Sequence, residues 1–351
     1  MIDNTVEQFD LDEVSRIDVD NAAQPKEVAF SPLGDYMFVA MEGNNALVVY
    51  DTLTFEKFTS AVTVGRIVVG RAPQSLVVDH TSNTMWVKNF LDRTVSVIDL
   101  DLLASSGSIV LPQEIVGTAL EEKLDAQTLA GKRVFYHAGD RRMSAEGYMS
   151  CASCHADAGH DGRNWDFTGR GEGIRNTIPL AGRGGIEHGL LHWSSNFDEV
   201  QDFENDIRNG FGGEGFLSDA DWSDPNIQAP LGASSKAGRS AELDALAAYL
   251  RSLDGNSIPR SPHRESDGSL TPSAVAGQTH FTAQNCASCH IPENSYRDGI
   301  SHNVGTILPL SGASLTGVDT PTLIDLPSSA PYLQLFSLIL LLPRLLILKT
   351  P

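Results

Sequence analysis

Residues 31–51 read Ser-Pro-Leu-Gly-Asp-Tyr-Met-Phe-Val-Ala-Met-Glu-Gly-Asn-Asn-Ala-Leu-Val-Val-Tyr-Asp. Residues 83–100 read Asn-Thr-Met-Trp-Val-Lys-Asn-Phe-Leu-Asp-Arg-Thr-Val-Ser-Val-Ile-Asp-Leu. At a constant offset of 48, Pro25 falls on Pro73, Val39 on Val87, Val49 on Val97 and Asp51 on Asp99. Each copy predicts short strands: Glu27–Ser31, Tyr36–Met41 and Ala46–Asp51, then Ser75–Asp79, Thr84–Lys88 and Thr94–Asp99. Gly43-Asn44-Asn45 and Leu91-Asp92-Arg93 supply hairpin loops of about three residues. A repeat of short strands near this period predicts β-propeller blades, with a generic β-sandwich as the alternative. Two blades cannot close a ring, so the reading expects further repeats upstream of Met1.

Outward from the repeat, the chain has 351 residues and a formal net charge of −20. That charge argues against nucleic acid and anionic membrane surfaces, which need clustered Lys and Arg. Residues 1–20 hold seven acids and one base, Arg16. No cationic segment followed by an apolar one is visible there, so no export signal is read.

Four cysteines fall in two pairs, each followed at once by histidine: Cys151-Ala152-Ser153-Cys154-His155 and Cys286-Ala287-Ser288-Cys289-His290. This is the C-x-x-C-H pattern of c-type haem attachment. Cysteines three apart lie on one face of a helical turn and can bond both vinyl groups of one haem. The next residue is then placed to bind the iron. A zinc site, redox disulfides or small core residues would each use the cysteines, but none explains a histidine directly after both pairs. The cofactor expected is two covalently bound haem c groups. Their covalent haem sites are Cys151 with Cys154 and Cys286 with Cys289, and the axial iron ligands are His155 and His290. Such haem is attached outside the cytoplasm, so a periplasmic or cell-surface location is expected, although the export signal is not visible.

From Ala119 the pattern turns helical. Leu124–Phe135 and Arg239–Leu253 read as helices, the second with Ser240 as N-cap and Leu243, Leu246, Ala247 and Leu250 as its apolar stripe. Residues 255–272 read as a linker and Val275–Phe281 as a further helix. The domain reading is an acidic lead-in (1–20), partial propeller blades (21–117), a first cytochrome c domain (118–254), the linker, a second, truncated cytochrome c domain (273–333) and an apolar tail (334–351). The fold class expected is thus multidomain: an N-terminal all-β partial propeller of about two blades, then two mainly α cytochrome-c-like domains.

The two blade segments resemble the YVTN-type propeller repeats of bacterial cell-surface proteins. Residues from about 119 to 333 resemble the bacterial di-haem cytochrome c peroxidase superfamily. The residues that carry this are both C-x-x-C-H motifs, Asp161-Gly162-Arg163, His192-Trp193, Ser301-His302-Asn303-Val304-Gly305, Thr320-Pro321-Thr322-Leu323 and Ala330-Pro331-Tyr332-Leu333. The resemblance implies a redox enzyme that reduces hydrogen peroxide at one haem with electrons relayed from the other, with Trp193 as the inter-haem relay. It also implies an electron donor such as a small cytochrome or a cupredoxin, and a structural Ca2+ whose ligands it does not identify. Two other readings stand beside it: a non-catalytic di-haem electron carrier, and a propeller binding module with a vestigial haem domain.

The sixth ligands are open. All six methionines (1, 37, 41, 85, 143 and 149) precede Cys151, which leaves no methionine downstream of either motif. Nine of the ten histidines lie between 137 and 302. Distal candidates are His160, His188 and His192 for the first haem and His302 for the second. Gln201, Glu204 and Glu214 are candidate acid/base groups. Gly210-Phe211-Gly212-Gly213-Glu214-Gly215 matches a dinucleotide fingerprint but follows a helical stretch rather than a strand, so nucleotide binding is not expected.

The tail departs from the resemblance. Nine of the last 21 residues are Leu and none is acidic. Pro343-Arg344 interrupts it, which makes it a poor membrane span, and no other clear span is read. The expectation is that the reading frame is lost near residue 333. Translating the other two frames past that codon should then restore a His-Asp-Gly-like continuation; neither frame doing so would reject the idea.

Overall fold

A computed structural model describes residues 23–53, 63–232, 234–305, 315–326 and 329–330. The acidic lead-in, the Pro331-Tyr332-Leu333 string and the apolar tail lie outside them. The chain divides into two compact units, one of residues 1–153 with 204–216, the other of 154–203 with 217–351.

The two repeats form the sheets of the first unit. Strands β1 (Pro25–Phe30), β2 (Tyr36–Met41), β3 (Ala46–Asp51) and β4 (Thr63–Val68) make one antiparallel meander. Strands β5 (Pro73–Asp79), β6 (Thr84–Asn89), β7 (Thr94–Asp99) and β8 (Glu114–Gly117) make the second, in the same order. The fourth strand of each is a finding that the sequence reading missed. Equivalent residues pair equivalently: Val39 sits opposite Val28 and Val48, Val87 opposite Leu76 and Ser96.

The repeat reaches into the backbone. Gln24 and Ala72, 48 apart, both have positive φ (58° and 52°), and each precedes a strand whose pairing slips after its first proline. Asn45 and Arg93, again 48 apart, have φ of 56° and 55° and close their hairpins. Those loops hold four residues, 42–45 and 90–93, one more than expected. Gly43 is required where it stands: a Cβ there would lie 2.8 Å from that of Ala138, and its carbonyl accepts from the amides of Ala138 and Gly139.

Alternation explains the core. Phe38, Ala40, Leu47, Val49 and Ile67 face Leu76, Met85, Val87 and Ile98 in one buried cluster. The other face of the first sheet buries Val39, Met41, Val48 and Tyr50. The first sheet is therefore covered on both sides and reads as a continuous apolar run. In the second, Met85 and Val87 point inward while Val77 and Trp86 stay exposed.

The remaining described elements are α1 (Asp101–Ser106), α2 (Ala126–Tyr136), α3 (Cys151–Cys154), β9 (Asn164–Phe167), β10 (Gly173–Asn176), α4 (Phe203–Asn209), α5 (Asp219–Trp222), α6 (Pro225–Gln228), α7 (Ala241–Ser252), α8 (Pro272–Ala283), β11 (Ser301–His302) and β12 (Val318–Asp319). The expectation of two mainly α cytochrome-c-like domains is overturned. The second unit contains two two-stranded sheets, β9–β10 and β11–β12, and only α7 and α8 among its described helices reach twelve residues. The expectation failed because a C-x-x-C-H turn is a local device that does not dictate the fold around it. The helix α7 itself forms as read: the Ser240 hydroxyl accepts from the Leu243 amide, and Leu243, Leu246, Ala247 and Leu250 are buried.

Asn45 holds two roles, a left-handed backbone and a carbonyl oxygen that accepts from the Ala72 amide at 2.9 Å. Asn45→Val should therefore cost about 1–2 kcal/mol in denaturant unfolding, from αL strain alone, whereas Asn45→Gly should cost less.

Candidate functional site

The first motif coils because Ser150 and Ser153 brace each other. The Ser153 amide donates to the Ser150 carbonyl at 3.0 Å, and the Ser150 amide to the Ser153 hydroxyl at 3.0 Å. That turn carries Cys151 and Cys154 on α3. The second motif coils as a 3-10 turn, Cys286–Ser288, entered through Asn285 at φ 57°. There the amides of Cys289 and His290 donate to the Cys286 carbonyl at 3.3 and 3.0 Å. None of the four cysteines forms a disulfide. Burial pushes the Cys151 thiol up to about 12.

The histidines sort by which nitrogen carries the proton. A ring whose Nδ1–H points at an oxygen acceptor keeps its lone pair on Nε2, the usual iron-binding atom. His290 meets this condition: Nδ1 lies 3.0 Å from the Tyr296 carbonyl. His188 does likewise, with Nδ1 3.0 Å from the Arg183 carbonyl. So does His192, whose Nδ1 lies 2.7 Å from Asn196 Oδ1. His160 does not, because its Nδ1 accepts from the Gly162 amide at 3.1 Å, which puts the proton on Nε2. His302 turns Nε2 to Asp298 at 2.7 Å. Burial opposes ionisation of Asp298, but His302 and the Ile300 amide hold its carboxyl down to about 2.

His155 is the iron ligand expected at the first motif. Burial holds its imidazole down to about 4, with the backbone of Gly159 and Ile178 beside the ring and Asp161 and His192 acting on it through space. Its Nδ1 is buried with no hydrogen-bond partner. His192 has a left-handed backbone, φ 66°. Its ring packs against Phe197 and Phe203, at 4.5 and 5.1 Å between centroids. The buried Glu172 carboxylate lies 3.7 Å from its Nδ1 and accepts from the Ser194 hydroxyl. Trp193 is buried; its indole N–H donates to the Asn176 carbonyl at 3.2 Å. Its own carbonyl accepts from the Asp319 amide at 2.8 Å, and Asp319 is ion-paired to buried Arg297.

Each acid/base candidate sits in surroundings of its own. Gln201 is buried, with its amide donating to Asp244 at 2.8 Å. Glu204 belongs to the first unit, where its carboxylate accepts from the Phe216 amide and from Arg208 Nε at 2.7 Å. Glu214, also in the first unit, is exposed. Among the described residues, Cys289, Asp298 and His302 place a thiol, a carboxylate oxygen and a ring nitrogen within 4.8 Å of one another. A thiol is a soft donor, unlike the oxygen ligands that calcium takes.

Three residues here escaped sequence reading: Glu172, Arg175 and Asn196. Each is an ordinary polar residue in a loop or short strand, and only burial or a tertiary partner marks it.

No family model matches the chain. Over 179 residues it is 29% identical to hydrazine synthase subunit gamma of Kuenenia stuttgartiensis, covering 48% of this chain and 45% of that protein. The chain thus spans less than half the length of that curated relative. Among solved structures, a xenon-pressurised hydrazine synthase of the same organism aligns with a TM-score of 0.41 and 22% identity, over 61% of this chain and 76% of that one. A periplasmic gluconolactonase of Pseudomonas aeruginosa aligns with a TM-score of 0.25 and 16% identity, over 34% and 32%. The resemblance to the di-haem cytochrome c peroxidase superfamily is overturned by the curated match, which falls on a hydrazine synthase subunit instead. "Cytochrome c" and "peroxidase" fail as descriptions of the chain for the same reason. The strings that suggested them are only two to five residues long, too short to specify a fold.

His188 gives a pH dependence. Burial, with Arg183 and Arg297 nearby, holds its folded pKa down to about 4; the unfolded value is about 6.5. Between these the unfolded chain binds more protons, so His188 costs stability as pH falls from about 6.5 through 4. His188→Gln should lose less stability than the parent between pH 7 and pH 4.5, measured by urea unfolding at each pH.

Proposed function

We propose that this chain is an electron-carrying module in which propeller-type blades accompany covalently bound haem c. The observation that carries this reading is the His290 ring: its Nδ1–H is fixed on the Tyr296 carbonyl, so Nε2 offers its lone pair beside two free thiols on one turn. At the first motif the fit rests on the coiled Cys151–Cys154 turn, with buried His155 directly after it and the His192 ring beside it. When bound, the haem iron supplies a one-electron couple, and its potential is set by its axial ligands and surroundings.

The chain's own residues do the rest. Cys151 and Cys154, and Cys286 and Cys289, would hold the haems through thioether bonds. His155 and His290 would hold the iron through ring nitrogens. His192 is the sixth-ligand candidate at the first motif: Asn196 fixes its tautomer, and Phe197 and Phe203 fix its ring. Trp193 lies on a bonded path from His192 through Asp319 and Arg297 to the loop that holds His290, which suits a relay between the two motifs. Among the described residues, the groups gathered about His192 fix its ring and tautomer, which favours passage of electrons. Similarity to a hydrazine synthase subunit supports a redox setting in which the chain serves a larger assembly. A small cytochrome or cupredoxin would supply electrons, and the −20 charge favours a cationic one. Covalent haem would place the module outside the cytoplasm.

Electron paramagnetic resonance of the matured full chain tests this. A low-spin ferric signal is expected for the haem at Cys151 and Cys154 of the parent, and His192→Gly should convert it to high spin while the signal of the other haem stays unchanged. An unaltered low-spin signal in His192→Gly would remove His192 from the iron.

A further inference from the structure

Arg175 ends the β9–β10 hairpin region with its side chain 1% exposed. Its Nη1 donates to the adjacent Ile174 carbonyl at 2.6 Å, while Nε and Nη2 are buried and have no partner. The opposite charge that acts on it is Glu172, but that carboxylate accepts from Ser194 and faces His192. A guanidinium is charged at every physiological pH, and a buried one whose N–H groups meet no hydrogen-bonded carboxylate is strongly unfavourable. Arg175 also adjoins Asn176, whose Oδ1 is likewise buried and unpartnered. Three residues on, the backbone of Ile178 borders the His155 ring. The strand that carries the orphaned Arg175 and Asn176 atoms thus runs on to the backbone beside His155, and the Asn176 carbonyl accepts from Trp193, next to His192. A free fork of two N–H donors matches a carboxylate in bidentate geometry.

We propose that Arg175 holds a carboxylate side chain of the haem attached at Cys151 and Cys154, pairing the propionate through Nε and Nη2. This rests on the haem reading above. Glu172 acts on Arg175 only through space: it makes no hydrogen bond to Nε or Nη2, which stay unpartnered. Arg175 is a positioning residue: it sets where the porphyrin edge lies and keeps the propionate ionised, while the iron ligands remain histidines.

The test uses the full chain, matured with covalent haem, as the parent, Arg175→Gln and Arg175→Lys. Spectroelectrochemical titration should resolve two Nernst components. In Arg175→Gln one component should fall in potential, because a positive charge near the oxidised iron is lost, and its pH dependence should shift toward neutral as the propionate pKa rises. Arg175→Lys should restore part of both. Resonance Raman of the parent provides a readout independent of variant folding: one propionate bending band should sit at the strongly hydrogen-bonded position. Two haems with potentials and pH profiles unchanged in Arg175→Gln, or propionate bands of the free type in the parent, would overturn the assignment alone. No covalent haem at Cys151 and Cys154 in the parent would overturn the haem reading and this assignment with it.

Discussion

Two cysteines three residues apart reach the same planar partner only if the backbone between them coils, and both motifs of this chain coil. At the first, paired Ser150 and Ser153 bonds hold the turn; at the second, the Cys286 carbonyl gathers the amides of Cys289 and His290. The coil fixes where each following histidine emerges, and everything in the functional account depends on that placement. His290 emerges with Nδ1 on a carbonyl, and His155 emerges into a buried site with Nδ1 unpartnered.

Around this local device the surroundings differ. His155 is buried beside the Gly159 and Ile178 backbone, with His192, packed against Phe197 and Phe203, acting on it through space. The stretch near His290 is more exposed, and no residue of helix α8 before it is buried. Buried polar atoms without partners are rare in folded proteins, and His155, Arg175 and Asn176 of the second unit each carry one.

Sequence reading recovered the repeat because its signal is local and doubled. Proline, valine and aspartate positions recur at one spacing, and the same spacing recurs in the left-handed residues Gln24 and Ala72, Asn45 and Arg93. It missed β4 and β8: β4 contains Gly65 and pairs through a bulge, and β8 is four exposed residues long. The helix α7 was legible from its cap and stripe. The second unit as a whole was not, because its short strings report turns and strand ends rather than an architecture. Arg175 could not be found from sequence at all, since nothing in Gly-Ile-Arg-Asn announces that the arginine is buried.

The account stands on covalent haem at two named turns. Peptide mass spectrometry of the chain matured in a host that attaches haem c tests it directly. Peptides spanning residues 151–155 and 286–290 should each carry the mass of one haem, with no unmodified counterpart of either. Both peptides recovered as free thiols or as an intramotif disulfide would contradict it.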